Sequence, residues 1–181
     1  MIYIDGVEYL DCDNDRVRSA VIDYLNNWNI TVSTSGTTGT PKVFTHDAKL
    51  MLKIAEYNAE YFELNSNSSM LALYNPRGIG FTSMSLYPCA VANCDVFIET
   101  TVANYPDRLK EINPTHTLIL PNVWKTWHKH KKWKNLDLSN IRLAQVGSDV
   151  TPNGMMEDLR AKGAQKVNTA YGSTEVPPLI M

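Results

Sequence analysis

Short apolar runs alternate with helix-like segments through most of the chain, and this alternation is what most constrains the fold. Runs of strand length lie at Met70–Tyr74, Val96–Ile98, Thr117–Leu120, Ile141–Val146 and Val167–Ala170. Helix-like segments separate these runs, near Gly80–Ala92, Pro106–Ile112, Val123–Lys132 and Pro152–Lys162. Near-continuous apolar strands connected through helices are typical of a parallel sheet that is buried on both faces. The pattern therefore predicts an α/β fold, with a mostly parallel sheet covered by helices on both faces.

A small hairpin and a helix are predicted ahead of this alternation. Asp5-Gly6 supplies a two-residue turn within Tyr3–Leu10, a pattern that predicts a β-hairpin. Apolar residues then recur at helical spacing over Val17–Trp28, and Asp13 and Asn14 are candidate N-caps. The N-terminal part is thus predicted to be a small β-hairpin followed by one amphipathic helix.

Three further elements lead into the alternating region. Ile30–Thr34 is predicted to be a strand, Val43–Thr45 a short strand, and Asp47 the N-cap of a helix that runs to about Phe62. We expect two units: the hairpin and helix in residues 1–29, and an α/β core in residues 30–181.

Composition excludes several classes of protein. A chain of 181 residues has the length of one domain, and its net charge of −2 creates no field that would attract nucleic acid or an anionic membrane. The N-terminus lacks the pattern of a signal peptide, and no apolar stretch approaches the length that spans a membrane. Cys12, Cys89 and Cys94 form no CxxC pair, and reduced thiols in the cytoplasm are the simplest account of them.

The segment Ser33–Lys42 reads Ser-Thr-Ser-Gly-Thr-Thr-Gly-Thr-Pro-Lys and follows a predicted strand directly. Glycines let the backbone turn several N–H groups inward, hydroxyls add donors, and Lys42 adds a positive charge, so the segment suits a polyphosphate. It is not a Walker loop, because only Thr37-Thr38 separates the glycines and no Gly-Lys-Ser/Thr follows. The alternative is a polar surface linker, which usually carries no such charged anchor.

A second polar segment, Tyr171-Gly172-Ser173-Thr174-Glu175, follows the last predicted strand. Its tyrosine offers a flat face for a purine, its threonine a hydroxyl for a phosphate, and its carboxylate a ligand for Mg²⁺. The alternative is a loop tyrosine beside a solvated glutamate. Ligands of parallel sheets lie beyond the carboxyl ends of strands, which is where both segments fall.

The two segments, in this order and at about this separation, resemble the motifs of the adenylate-forming superfamily. That superfamily includes acyl-CoA synthetases, luciferases and the adenylation domains of peptide synthetases. The resemblance spans about residues 30–175. It implies an AMP-forming ligase core that binds ATP and Mg²⁺ and activates a carboxylic acid as an acyl-adenylate.

The resemblance also implies a role for each motif residue. The outer phosphates of ATP would be held by Ser35, Thr37, Thr38 and Lys42, with Gly36 and Gly39 allowing close backbone approach. Tyr171 would stack on adenine beside Gly172, Thr174 would meet the α-phosphate, and Glu175 would ligate the metal. Lys42, Thr174, Glu175 and Arg77 are the catalytic candidates.

Further candidate residues lie outside the two motifs. Gly147 and Ser148 follow a predicted strand where family members wall the adenine pocket, but a strand-ending turn explains them equally well. Asn168 is a candidate for the adenine edge. Arg77 lies where many members place an aromatic–histidine motif near the acyl carboxylate, so it either neutralises a substrate anion or is a solvated loop arginine.

Trp124–Lys134 is the one basic segment with interleaved aromatic residues. Such a pattern can bind nucleic acid, since lysines meet phosphates and indoles stack on bases. However, Val123 and Trp127 fall at helical spacing, so we expect the indoles to pack inward beneath a solvated lysine face. Nucleic acid is therefore not an expected partner.

Family members continue past the second motif with a ribose-binding aspartate, a hinge and a small C-terminal domain whose lysine promotes adenylation. This sequence ends at Met181. We expect it to be either a truncated piece, with a partner chain supplying the missing domain, or a compact relative. A non-catalytic nucleotide-binding or interaction module is the alternative function.

Overall fold

The computed structural model describes residues 1–33, 42–74, 78–176 and 179–180. Its strands, in chain order, are β1 (Ile2–Ile4), β2 (Val7–Glu8), β3 (Ile30–Ser33), β4 (Val43–His46), β5 (Ser69–Leu73), β6 (Asp95–Glu99), β7 (His116–Ile119), β8 (Leu143–Val146), β9 (Lys166–Tyr171) and β10 (Leu179–Ile180). Its α-helices are α1 (Asp15–Asn27), α2 (Ala48–Tyr61), α3 (Ile79–Phe81), α4 (Tyr87–Ala92), α5 (Tyr105–Ile112), α6 (Pro121–Trp127), α7 (Lys131–Lys134) and α8 (Met155–Ala161). A π-helical turn, Thr82–Leu86, joins α3 to α4.

The described strands form an eight-stranded sheet in the order β10-β9-β8-β7-β5-β6-β1-β2 and a separate pair, β3-β4. From β9 to β1 every neighbouring pair in the large sheet is parallel, whereas the two edge strands β2 and β10 run antiparallel. All residues of the central strands β7 and β8 are buried, because helices cover both faces. The predicted α/β fold is confirmed.

The N-terminal hairpin forms as predicted and also extends the large sheet. Its turn residues Asp5 and Gly6 have φ values of 49° and 93°, the left-handed conformation that a tight two-residue hairpin turn needs. The first strand pairs in parallel with β6, with Ile4 opposite Ile98. Both carboxylate oxygens of Asp5 accept hydrogen bonds from Thr100, one from its backbone N–H and one from its hydroxyl. The hairpin is thereby fixed at the β6 edge.

Both predicted helix starts are confirmed by side-chain caps. The Asn14 side chain accepts a hydrogen bond from the N–H of Val17 at the start of α1. The Asp47 carboxylate accepts from the N–H groups of Lys49 and Leu50 at the start of α2. Such caps satisfy backbone donors that the helix itself leaves without partners.

The predicted helix over Val123–Lys132 is instead two helices, α6 and α7, and the packing of two tryptophans explains the break. The indole N–H groups of Trp124 and Trp133 both donate to Oδ2 of Asp158, each at 2.8 Å. In one continuous helix these residues would lie about two and a half turns apart, on opposite sides. The break lets both indoles reach one carboxylate, and both are buried, in agreement with the prediction that the segment packs its aromatic rings inward.

Two negative findings concern the described residues alone. The three cysteines are buried and form no disulfide with any described residue. In the same part of the chain, no helix combines the length and the apolar character needed to cross a bilayer.

Candidate functional site

A cavity of about 400 Å³ opens at the carboxyl ends of β5, β7, β8 and β9. This is the edge of a parallel α/β sheet at which ligands generally bind. Its lining comes from strand ends, from the α3 region and from the second motif: Leu73, Gly78, Ile79, Gly80, Phe81, Met84, Leu118, Leu120, Gly147, Ser148, Ala170, Gly172, Ser173, Thr174 and Glu175. The described residues thus place the last four residues of the second motif, 172–175, at the wall of a cavity.

The lining divides into an apolar and a polar side. Six large apolar side chains form the first, and they are Leu73, Ile79, Phe81, Met84, Leu118 and Leu120. The polar side consists of Gly147, Ser148 and the segment 172–175. Among the described lining residues, Glu175 is the one that carries a charge. The site therefore joins an apolar compartment to a polar rim.

The second motif begins where β9 ends and turns back on itself. Tyr171, the last residue of β9, is 74% exposed, so its ring is free to stack on a flat ligand. The N–H of Ser173 donates to the carbonyl oxygen of Val176 at 3.0 Å, and the N–H of Val176 donates to the Ser173 hydroxyl oxygen at 3.2 Å. This turn holds Glu175 at the exposed rim of the cavity.

Hydrogen bonding and charge keep the Glu175 carboxyl ionised. The Ser173 side chain has the largest effect in holding the pKa of Glu175 below its usual range, and the backbone N–H of Glu175 and the positive charge of Lys42 act in the same direction. An ionised carboxylate is the form that binds a cation. The described residues contain no cluster of three or more His, Cys, Asp or Glu side chains that could hold a metal by themselves.

The first motif connects β3 to β4, which pair in antiparallel register with Ser33 opposite Val43. Its residues Ser35, Gly36, Thr37, Thr38 and Gly39 lie outside the described residues. Lys42 is described, is exposed, and acts on Glu175 through its charge. The structure therefore brings the end of the first motif within electrostatic reach of the second, although the two are far apart in sequence.

Sequence reasoning gave no role to a residue that links these motifs directly. Nε2 of His46, at the end of β4, lies 2.7 Å from the backbone carbonyl oxygen of Thr174, a residue 128 positions away. A carbonyl oxygen only accepts, so the ring donates this hydrogen bond. No local pattern signals this pairing, because it depends on how two separate sheets pack.

The remaining candidates lie at different distances from the cavity. Gly147 and Ser148 line it, and Ser148 has a φ of 75°, so this pair forms both a strand-ending turn and part of the wall. Asn168 is not part of the described lining, and its amide donates to the Tyr61 hydroxyl at 3.1 Å. Arg77 lies outside the described residues. The ligand contacts assigned to these residues stay predictions.

Comparison with known sequences gives matches over about four fifths of the chain. Indoleacetate–CoA ligase from Aromatoleum aromaticum is 25% identical over 149 residues, which make up 81% of this chain and 29% of that protein. Gramicidin S synthase 2 from Brevibacillus brevis is 24% identical over 149 residues, which make up 80% of this chain and 3% of that protein. The chain thus spans less than a third of the length of either relative.

Among solved structures, the anthranilate CoA ligase AuaEII in complex with anthranoyl-AMP superposes with a TM-score of 0.71 at 19% identity. The match covers 80% of this chain and 29% of that one, and it shows that the fold is shared. The family model described as AMP-binding enzyme matches residues 30–181, which include both motifs and every residue that lines the cavity. The chain belongs to the family of AMP-binding enzymes.

Proposed function

We propose that this chain is the ATP-binding core of an adenylate-forming ligase. In the proposed reaction, a carboxylate oxygen attacks the α-phosphorus of ATP, the bond from that phosphorus to the bridging oxygen breaks, and pyrophosphate leaves. The observation that carries the proposal is that residues of the second motif line a cavity and that Lys42, the last residue of the first motif, acts through its charge on Glu175 at the rim.

The chain's own residues contribute mainly by positioning and electrostatics. Lys42 and the hydroxyl-rich segment would hold the outer phosphates, and Thr174 would meet the α-phosphate. The exposed face of Tyr171 would stack on adenine, with Gly147 and Ser148 beside it. These roles are supported by the exposure of Tyr171 and by the cavity lining.

A magnesium ion fits the rim of this cavity. Protein sites commonly hold Mg²⁺ through one or two carboxylates together with substrate phosphates, and Glu175 is an ionised carboxylate on the lining. When bound, the ion would neutralise phosphate charge. A lone carboxylate is sufficient for this mode of binding, because the nucleotide supplies the other oxygen ligands.

The apolar compartment suggests the class of acid. Its six apolar side chains would surround the body of the substrate, and its carboxylate would face the polar rim. Within the described lining, the charge of Glu175 lies at the rim, so the ammonium group of an amino acid would find no acidic partner among the apolar residues. We propose a carboxylic acid with an apolar body as the substrate.

Two measurements on the purified chain test this function. Calorimetry and thermal denaturation should detect MgATP, with a stabilisation of roughly 1–3 kcal/mol at concentrations well above the dissociation constant. ATP–pyrophosphate exchange should then identify active acids from a panel of aliphatic, aromatic and amino acids. Absence of any thermal shift at millimolar MgATP would contradict the proposal, whereas exchange with any acid would exclude a non-catalytic nucleotide-binding module.

A change at Gly80 tests where the acid binds. A Cβ added at Gly80, which lines the cavity, would meet nothing within 4 Å, so a side chain fits there without displacing the fold. Gly80→Val should weaken binding of the larger acids and leave MgATP affinity unchanged, with Gly80→Ala as the smaller, matched change. If both variants bind every acid with the affinity of the wild type, the acid binds elsewhere.

The cellular location is likewise a proposal. The buried, unpaired cysteines support a reducing compartment such as the cytoplasm.

A further inference from the structure

His46 is a buried histidine in contact with the loop that forms the rim of the cavity. It is the last residue of β4 and is 7% exposed. Its Nε2–H donates to the carbonyl oxygen of Thr174 at 2.7 Å. The hydrogen bond therefore joins the strand that follows the first motif to the backbone of the second motif.

This hydrogen bond links β4 of the two-stranded sheet to the loop that follows β9 of the large sheet. Within the described residues, β3 and β4 pair with each other and with no strand of the large sheet, whereas Thr174 follows β9 of the large sheet. Their relative position thus depends on contacts other than strand pairing. A direct hydrogen bond between them is such a contact, and it lies beside both motifs.

We infer that His46 is a positioning residue for nucleotide binding, which it serves by fixing the Thr174 carbonyl group and so the position of Glu175 relative to Lys42. This inference rests on the proposed function, since Lys42 and Glu175 matter here as partners of one nucleotide. The mechanism is local: the acceptor belongs to the peptide group whose nitrogen is that of Glu175. Orienting this group orients the residue that carries the carboxylate.

The hydrogen bond requires a hydrogen on Nε2 of the His46 ring. The neutral ring that donates from Nε2 and the protonated ring both carry a hydrogen on Nε2, so either form makes the bond. Removing the donor would leave the Thr174 carbonyl without this partner. Because the neighbouring Tyr171 and Glu175 are exposed, the loop can shift without opening the core.

Two substitutions at His46 separate the hydrogen bond from the shape of the side chain. His46→Gln keeps an N–H donor at similar reach, whereas His46→Leu keeps apolar bulk and removes the donor. The matched control is His116, another buried histidine, whose Nε2–H donates to the carbonyl oxygen of Phe62 at 2.8 Å. His116→Gln and His116→Leu make the same chemical changes away from the cavity.

The first measurement is hydrogen exchange without nucleotide, at the amides of Ser173 and Val176, which are hydrogen-bonded in the rim turn. His46→Leu should speed their exchange by between about twofold and tenfold, the range expected for loss of one hydrogen bond. His46→Gln should restore the rate at least in part. Neither His116 variant that folds should change it selectively.

The second measurement is affinity for MgATP and for AMP. His46→Leu should weaken MgATP binding by about twofold to tenfold and AMP binding by less, since AMP lacks the phosphates assigned to Lys42. His46→Gln should recover most of the loss, and the His116 variants should bind both nucleotides as the wild type does.

Each contrary outcome has a separate meaning. Normal MgATP affinity and normal exchange in His46→Leu would overturn the positioning role and leave the proposed function standing. Equal losses in His46→Gln and His46→Leu would show that the hydrogen bond is not responsible. A wild-type chain that does not bind MgATP would overturn the proposed function, and the positioning role with it.

Discussion

Two buried histidines each donate a hydrogen bond to a backbone carbonyl oxygen. One lies at the amino ends of the strands of the large sheet (the closed edge), and the other lies near their carboxyl ends (the open edge). His116, the first residue of β7, donates to the carbonyl oxygen of Phe62 at 2.8 Å, and its Nδ1 lies 2.9 Å from the Thr115 hydroxyl oxygen. His46 donates to the carbonyl oxygen of Thr174 at 2.7 Å, next to the exposed rim of the cavity. At the closed edge the bond helps to close the core, whereas at the open edge it joins β4 to the loop at the rim of the cavity.

The two edges also differ in the charge of their ionisable groups. Burial lowers the pKa of His116, so the ring at the closed edge is kept neutral. At the open edge, the Ser173 side chain lowers the pKa of Glu175 and keeps that carboxylate charged. Polar groups at the closed edge thus stabilise the fold, whereas those at the open edge are available to a ligand. Stability and nucleotide binding should respond to different substitutions.

The largest expected effect on binding comes from the open edge. Lys42→Ala should weaken MgATP binding by about 1.5–3 kcal/mol, the range for loss of a charge-assisted hydrogen bond, and AMP binding by less. The unfolding free energy should change by less than about 0.5 kcal/mol, because the side chain is exposed. Calorimetry with the two nucleotides measures the difference. Lys132→Ala, an exposed lysine outside the cavity lining, is the control, and equal losses for ATP and AMP would disprove the assignment of Lys42.

A substitution at the closed edge should lower stability and leave nucleotide binding unchanged. His116→Leu should lower the unfolding free energy by about 1–3 kcal/mol, because the buried carbonyl of Phe62 loses its donor. Nucleotide affinity, measured where the variant is folded, should not change. Denaturant titration gives the first quantity and calorimetry the second. If His116→Leu keeps full stability or loses nucleotide affinity, stability and nucleotide binding do not depend on different edges.

The third prediction concerns pH. The pKa of folded His116 is lowered from the ordinary 6.5, so the unfolded chain binds the proton more readily. The stability that comes from the neutral ring is complete above about pH 6.5 and is lost as pH falls toward the folded pKa, at no more than about 1.4 kcal/mol per pH unit.

Denaturation of the wild type at pH 7.5 and 5.5 should show this loss, and His116→Leu should show a smaller one. Equal losses in the two proteins would assign the pH dependence to other groups.

The smallest effect is expected at Glu175, the proposed metal ligand. Glu175→Gln should leave the unfolding free energy within about 0.5 kcal/mol of wild type, because the side chain is exposed. It should reduce the gain in ATP affinity that Mg²⁺ gives, since the carboxylate that would hold the ion is gone. ATP titrations with and without Mg²⁺ measure that gain. The control is Glu157→Gln, at an exposed glutamate on α8. An unchanged Mg²⁺ effect in Glu175→Gln would show that Glu175 does not bind the ion.

The sequence by itself determined features that depend on neighbouring residues. Asp5-Gly6 specified a turn, Asn14 and Asp47 specified helix starts, and the apolar runs specified the parallel strands. These signals are local, because caps and tight turns satisfy backbone groups within a few residues. Placement of the second motif at the carboxyl ends of the strands also followed from the sequence, since it comes directly after a strand.

Tertiary packing alone decided which distant residues meet. The break between α6 and α7 follows from two indoles that share the carboxylate of Asp158, and the hairpin joins the large sheet through β6. The hydrogen bond from His46 to Thr174 spans 128 positions and two sheets. No periodicity or motif records such a pairing, because the partner is selected by the relative position of whole elements, and that position is set by burial of their apolar faces against one another.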